Sequence, residues 1–225
     1  MRRFVWSILF FACCASAQDG VLSWFPLEIG NRWVYEHEVW GPSRDKATVT
    51  RWKTTEQIIG SVHVAEGTVI LRQVNFEGQP DGSWLAGYGE SHYLIRNSCL
   101  YFLNAREAWD EVQQQLRTQF RDNLLHGRIS PNFCFPLEVG SKWGDSQAAF
   151  SWLVLRQGAD AQLAPMPMGE KAFDIVSTQF SSGDTMHFWF EKGVGIIAKR
   201  DLHNGTYFDL RVRMLRFEPA ATRKP

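Results

Sequence analysis

Two carboxylates one residue apart, Glu36 and Glu38, project from the same face of an extended strand and could supply the acid–base pair of a glycoside hydrolase. A solvated strand face explains them more simply, because alternate residues share a face and one face of an antiparallel sheet commonly meets water. Six histidines (His37, His63, His92, His126, His187 and His203) are scattered with no ligand-spaced pair on one helix. His37, His92 and His187 fall on strand candidates and could converge on a metal, although a lone strand histidine is ordinarily a surface or hydrogen-bonded residue. Met166-Pro167-Met168 offers two thioethers suited to Cu(I), but Pro165 and Gly169 around it indicate plain loop packing. No metal or cofactor is expected.

Gly144-Asp145-Ser146 resembles the nucleophile block of GDS-type esterases, and Asp184 with His187 resembles their acid and base. Those enzymes need an α/β sandwich with the block far ahead of the histidine. Here the block is mid-chain, the gap to His187 is short, and the strands do not alternate with helices. Neither a Gly-x-Ser-x-Gly elbow nor a His-Glu-x-x-His zinc motif occurs. No catalytic residue is assigned, and the chain is read as non-enzymatic.

The remaining chemistry is recognition by apolar surface. Ten tryptophans are many for 225 residues, and nine lie beyond residue 17. Trp84, Trp152 or Trp189 could stack on a sugar, but tryptophan is first of all a core residue in a β protein. Trp33, Tyr35, Trp143, Trp152 and Phe188 are the candidates for lining a concave sheet around a lipid or other apolar small molecule.

The N-terminus sets the compartment. Arg2-Arg3, an apolar run from Phe4 to Cys14 and Ala15-Ser16-Ala17 form a signal-peptide pattern, with cleavage expected after Ala17. The run is short of the roughly 20 residues of a membrane helix, and no later stretch reaches that length, so no transmembrane segment is expected in the mature chain. Periplasmic or extracellular location follows. Cleavage removes Cys13 and Cys14, leaving Cys99 and Cys134 to form one disulfide or to stand as two buried thiols. The 24 basic residues fall to 22 against 24 acidic ones. That balance, without basic clusters, gives no footprint for nucleic acid or anionic membrane.

The elements around these residues read as one β-rich domain over residues 18–225, with two β-units starting near 25 and 135. Phe25-Pro26-Leu27-Glu28-Ile29-Gly30-Asn31-Arg32-Trp33 recurs as Phe135-Pro136-Leu137-Glu138-Val139-Gly140-Ser141-Lys142-Trp143. The motif reads as a strand-opening device: Pro fixes the approach, Leu and Ile or Val point inward, Gly makes the turn and Trp anchors the strand. Duplication of a unit and reuse of one local solution both remain open.

Alternation predicts strands over Trp33–Trp40, Ala47–Lys53, Gly67–Phe76, Ser91–Arg96, Leu100–Leu103, Ala149–Arg156, Ala172–Phe180, Thr185–Glu191, Gly195–Leu202 and Thr206–Phe217. Ala105, Ala108, Trp109, Val112, Leu116, Phe120 and Leu124 instead recur at helical spacing, predicting an amphipathic helix over Asn104–His126.

The Phe25–Tyr35 motif, followed late in the chain by Phe188-Trp189-Phe190-Glu191-Lys192-Gly193-Val194-Gly195-Ile196, resembles uncharacterised bacterial exported proteins of the DUF3108-like type. The resemblance spans most of the mature chain and carries no catalytic residues. It implies a large curved antiparallel sheet or half-barrel with one amphipathic helix packed against it, akin to carriers that hold acyl chains. The reading is therefore an exported binding module for an apolar or amphipathic ligand. The alternative is an envelope-associated interaction or structural protein with a solid core.

Overall fold

The repeated motif builds one device twice. In the first copy the Gly30 amide donates to the Ile58 carbonyl at 2.9 Å, Asn31 N–H donates to Glu28 O at 3.1 Å, and Ile58 N–H donates to Asn31 O at 3.0 Å. In the second, Gly140 donates to Val154 O at 2.8 Å, Ser141 to Glu138 O at 3.0 Å, and Val154 to Ser141 O at 2.9 Å. Both glycines have φ near +100° or +90°, a region that L side chains rarely adopt, so the turn requires them. Leu27 and Leu137 are buried as expected, but Ile29 and Val139 are not inward: they are 59% and 57% exposed. Each occupies the turn ahead of its glycine, where the side chain projects from the bend rather than into the sheet.

The computed structural model describes residues 19–40, 49–78, 92–103, 114, 116, 131–144, 150–158, 164–167, 169–181, 183–203 and 208–220. Twelve strands follow in chain order: β1 (Arg32–Trp40), β2 (Thr50–Val64), β3 (Gly67–Glu77), β4 (His92–Arg96), β5 (Cys99–Leu103), β6 (Phe133–Cys134), β7 (Lys142–Trp143), β8 (Phe150–Gln157), β9 (Phe173–Gln179), β10 (Thr185–Glu191), β11 (Gly195–His203) and β12 (Phe208–Glu218). They form one antiparallel sheet in the order β6-β5-β4-β3-β2-β1-β12-β11-β10-β9-β8-β7. The order is two six-stranded meanders, each opened by one copy of the motif and joined where β1 pairs with β12.

The sheet curls until its edges face each other. Trp143 on β7 donates its indole N–H to Pro131 O, just before β6, at 3.0 Å. Phe133 on β6 meets Trp152 on β8 and Phe188 on β10 with ring centroids 5.5 and 5.3 Å apart, contacts that cross the interior. The result is a nearly closed barrel. Cys99 and Cys134 pair directly across β5 and β6 and form a disulfide. In the chain-entropy model such a cross-link stabilises by roughly 3–4 kcal/mol.

One end of the barrel is stopped by the chain itself. Residues 19–24 are helical, and the segment through Leu27 inserts Val21, Trp24, Phe25 and Leu27 into the interior cluster. Trp24 packs edge-on to Phe173 at 5.3 Å, and Phe25 meets Trp33, Tyr93 and Phe190. At the opposite end the inward residues Val39, Phe76, Phe150 and Met186 are half-buried against the same cluster.

An amphipathic helix packed against the sheet was expected over Asn104–His126. Most of that span lies outside the described residues, but Gln114 is helical and exposed, and Leu116 is buried against Val69, Leu94, Tyr101 and Leu103. Those partners alternate with the inward Ile70, Tyr93 and Ile95, so Leu116 sits on the outer face of the sheet rather than across its hollow. The signal segment also lies outside the described residues. Among the described residues no helix is long and apolar enough to cross a membrane.

Candidate functional site

Strand alternation aims all five expected aromatic residues into the barrel. Trp33, Tyr35, Trp152 and Phe188 are buried in the interior cluster, and Trp143 packs against it half-buried. Trp143 and Trp152 stack nearly parallel at 6.3 Å, and Trp152 tilts against Phe188 at 5.5 Å. Trp33 donates its indole N–H to Val194 O at 2.8 Å, and the Tyr35 hydroxyl donates to Ile196 O at 2.9 Å. The late motif therefore docks on the early one. Gly195 lies beneath Phe25 so closely that a Cβ there would overlap the ring, and Gly193 N–H donates to Trp24 O at 3.0 Å.

The aromatic wall is interrupted by a polar inset that the sequence did not announce. On β2, Thr54 and Glu56 face inward between Trp52 and Ile58. Arg72 on β3 donates from Nη1 to Glu56 Oε2 and to the Tyr93 hydroxyl, each at 2.6 Å, with all three side chains buried. His37 on β1 lies flat on Trp52 at 4.8 Å, with Nε2 2.8 Å from Thr54 Oγ1. Its Nδ1 is buried and has no hydrogen-bond partner among the described residues. Lys199 on β11 pairs across the sheet with the inward residues Phe188 and Val212, and its ammonium stands 5.7 Å from the Phe188 ring centroid.

Burial governs how these groups ionise. Desolvation, reinforced by Glu56, raises Tyr35 well above the usual phenol range, and desolvation also raises Tyr93. Desolvation opposes the charge on Arg72, but the adjacent Glu56 carboxylate more than offsets it and the guanidinium is held charged. His37 is pushed down to about 3 by burial and by the nearby Lys199 charge, so it is neutral at pH 7. Lys199 itself is lowered by desolvation, although the residue as a whole is only half-buried.

The other chemical candidates do not assemble. Glu36 and Glu38 face outward and are paired, Glu36 with Arg213 at 2.6 Å and Glu38 with Arg51 at 2.8 Å. They line an outer cleft of about 240 Å³ with Arg211 and Pro165. His37, His92 and His187 do not converge. His37 faces the interior, His92 accepts the Arg72 backbone N–H, and His187 lies on the outer face against Asp174 at 2.9 Å. Asp145 and Ser146 lie outside the described residues, as does Met168. Among the described residues no three His, Cys, Asp or Glu side chains gather as a metal site.

No family model and no curated protein matches this chain. Solved structures do. A Bacteroides fragilis protein classed as exported, with a YmcC-like fold, aligns over 87% of this chain and 99% of its own at 10% identity and a TM-score of 0.43. A Parabacteroides distasonis protein classed as a lipoprotein aligns over 86% and 97% at 8% identity and a TM-score of 0.40. A LolA-superfamily protein from Nitrosomonas europaea aligns over 92% and 93% at 7% identity and a TM-score of 0.23. The resemblance to the DUF3108-like group rests on the two motifs, which meet in space at Phe25, Trp33 and Gly195.

Proposed function

We propose that this chain is an exported, non-enzymatic binding module that holds an apolar or amphipathic ligand in its barrel. One observation carries the reading: the interior wall joins continuous aromatic surface to desolvated charges. Burying charge seldom adds net stability, and apolar replacements of a buried ion pair are often neutral or stabilising by about 1–4 kcal/mol. A barrel selected only to be packed gains little from Glu56, Arg72 and Lys199 inside it. Export is supported by the signal pattern and by the Cys99–Cys134 disulfide, which suits an oxidising compartment. Kinship with the DUF3108-like exported proteins is supported by the two sequence motifs, Phe25–Tyr35 and Phe188–Ile196.

A second reading has its own observation. Phe133 meets Phe102, Trp152, Phe188 and Phe190 at 5.3–5.8 Å, the spacing of a close-packed aromatic core, as in an interaction protein with a solid interior. Native mass spectrometry of the chain from Gln18, made in an oxidising compartment and followed by organic extraction, separates the two. A co-purifying lipid or other apolar molecule released on denaturation supports the binding module. A bare mass with an empty extract supports the solid interaction protein.

A further inference from the structure

Inside the barrel one cation stands outside any ion pair. Arg72 and Glu56 satisfy each other at 2.6 Å. Asp201, one pleat beyond Lys199 on β11, also faces inward and is itself partnered. Among the described residues Lys199 has no carboxylate within ion-pair distance, and its ammonium rests against the Phe188 ring. Its ammonium therefore stands without an ion pair in a wall whose inward residues along the same row include Phe188, Val212 and Trp52.

His37 stands in that row, on the strand beyond Val212. Its Nδ1 is buried and unpartnered, while Nε2 meets the Thr54 hydroxyl. The Thr54 hydroxyl can donate to Nε2, and a carboxylate at Nδ1 selects that tautomer, with the imidazole proton on Nδ1, where no described residue accepts it. A buried donor without a partner costs free energy comparable to a lost hydrogen bond, so such a group marks a place where something else binds. The two groups together present an ammonium and an N–H donor beside apolar surface.

Resting on the proposed function above, we infer that Lys199 and His37 receive the carboxylate headgroup of a single-chain amphipath whose tail follows the aromatic wall. A carboxylate matches the count. It brings one negative charge against one unpaired positive charge, and two oxygens against two donors. A dianionic phosphate leaves one negative charge in excess in a desolvated site near Glu56. A neutral ester leaves the ammonium unpaired.

The test titrates the delipidated, disulfide-intact chain with palmitate and with methyl palmitate, following tryptophan fluorescence. Palmitate is expected to bind about tenfold or more tightly than its ester, the usual size of a charge-assisted contact. Lys199→Met removes that preference, whereas Lys199→Arg keeps it. Equal binding of acid and ester, or a preference that survives Lys199→Met, overturns the headgroup assignment and leaves the binding module standing. Tighter binding of hexadecyl phosphate than of palmitate overturns the single-charge assignment. Binding of none of these overturns both readings. Should Lys199→Met fail to fold, the acid-to-ester ratio of the unaltered chain decides.

Discussion

The two halves of the barrel share a frame and differ in lining. Gly30 bonds to Ile58, and Gly140 bonds to Val154 in the same way. Two residues earlier on the facing strands, Trp33 meets Glu56 but Trp143 meets Trp152. A further two residues back, the first half carries Thr54 and the second Phe150. The same nine-residue device thus sets the register of a polar wall on one side and an aromatic wall on the other. Position matters as well: β1 is flanked by β2 and β12 and buries Trp33, whereas β7 is an edge strand and leaves Trp143 half-buried. A local motif dictates the turn and the register, while the neighbouring strand dictates burial and chemistry.

Truncation separates the copies most sharply. Trp33→Ala is expected to cost about 3–5 kcal/mol, the range for a fully buried aromatic, and Trp143→Ala roughly half as much, read from urea unfolding midpoints. Equal losses would mean that the edge position does not matter.

Glu56→Ala removes the carboxylate that balances the buried Arg72 charge and is expected to cost about 3–5 kcal/mol. Glu56→Leu with Arg72→Met restores most of that stability. A double variant as unstable as the single one would show that the polar inset is there to hold the fold. The disulfide belongs to the first half alone among the described residues, and replacing Cys99 and Cys134 by alanine should cost roughly 3–4 kcal/mol. In a domain of this size that lowers the thermal midpoint by roughly 10 °C.

His37 provides a pH signature for the polar wall. Its folded value of about 3 lies below the ordinary 6.5. The unfolded chain therefore takes up a proton that the folded chain refuses. The stability tied to neutral His37 is complete above pH 6.5 and is lost as pH falls toward 3, at up to about 1.4 kcal/mol per pH unit. His37→Gln should flatten the pH dependence of the thermal midpoint over that window relative to the parent chain. The smallest contrast is between the turns. Gly30→Ala and Gly140→Ala both strain a positive φ, at about 1–3 kcal/mol. Only at Gly30 would the new Cβ also press on Ala220, at 3.1 Å, so Gly30→Ala should be the costlier in calorimetry.

Much of the frame was legible in the sequence because inward positions are apolar there. Trp33–Trp40 alternates plainly and matches β1 closely. The strand predicted over Ala47–Lys53 stops where β2 continues to Val64, because the next inward residues are Thr54 and Glu56 and the alternation vanishes. The polar inset was therefore hidden by its own chemistry. Strands β6 and β7 have two residues each, too few to carry a period. Of the interior wall, the five aromatics were legible as inward positions, Trp33 and Trp143 through the repeated motif and Tyr35, Trp152 and Phe188 through their strands. Lys199 was not: one cation in a strand reads as a solvated residue until its neighbours Phe188 and Val212 are known.

The central claim concerns which face of the sheet binds. Tryptophan indole N–H resonances report on both faces, since Trp52 and Trp152 point inward while Trp189 is buried on the outer face with Ala172 and Ile197. Titration of the ¹⁵N-labelled chain with palmitate should shift the Trp52 and Trp152 indole signals and leave Trp189 in place. Saturable binding that moves Trp189 alone, or leaves every inward indole unmoved, would contradict a ligand site inside the barrel.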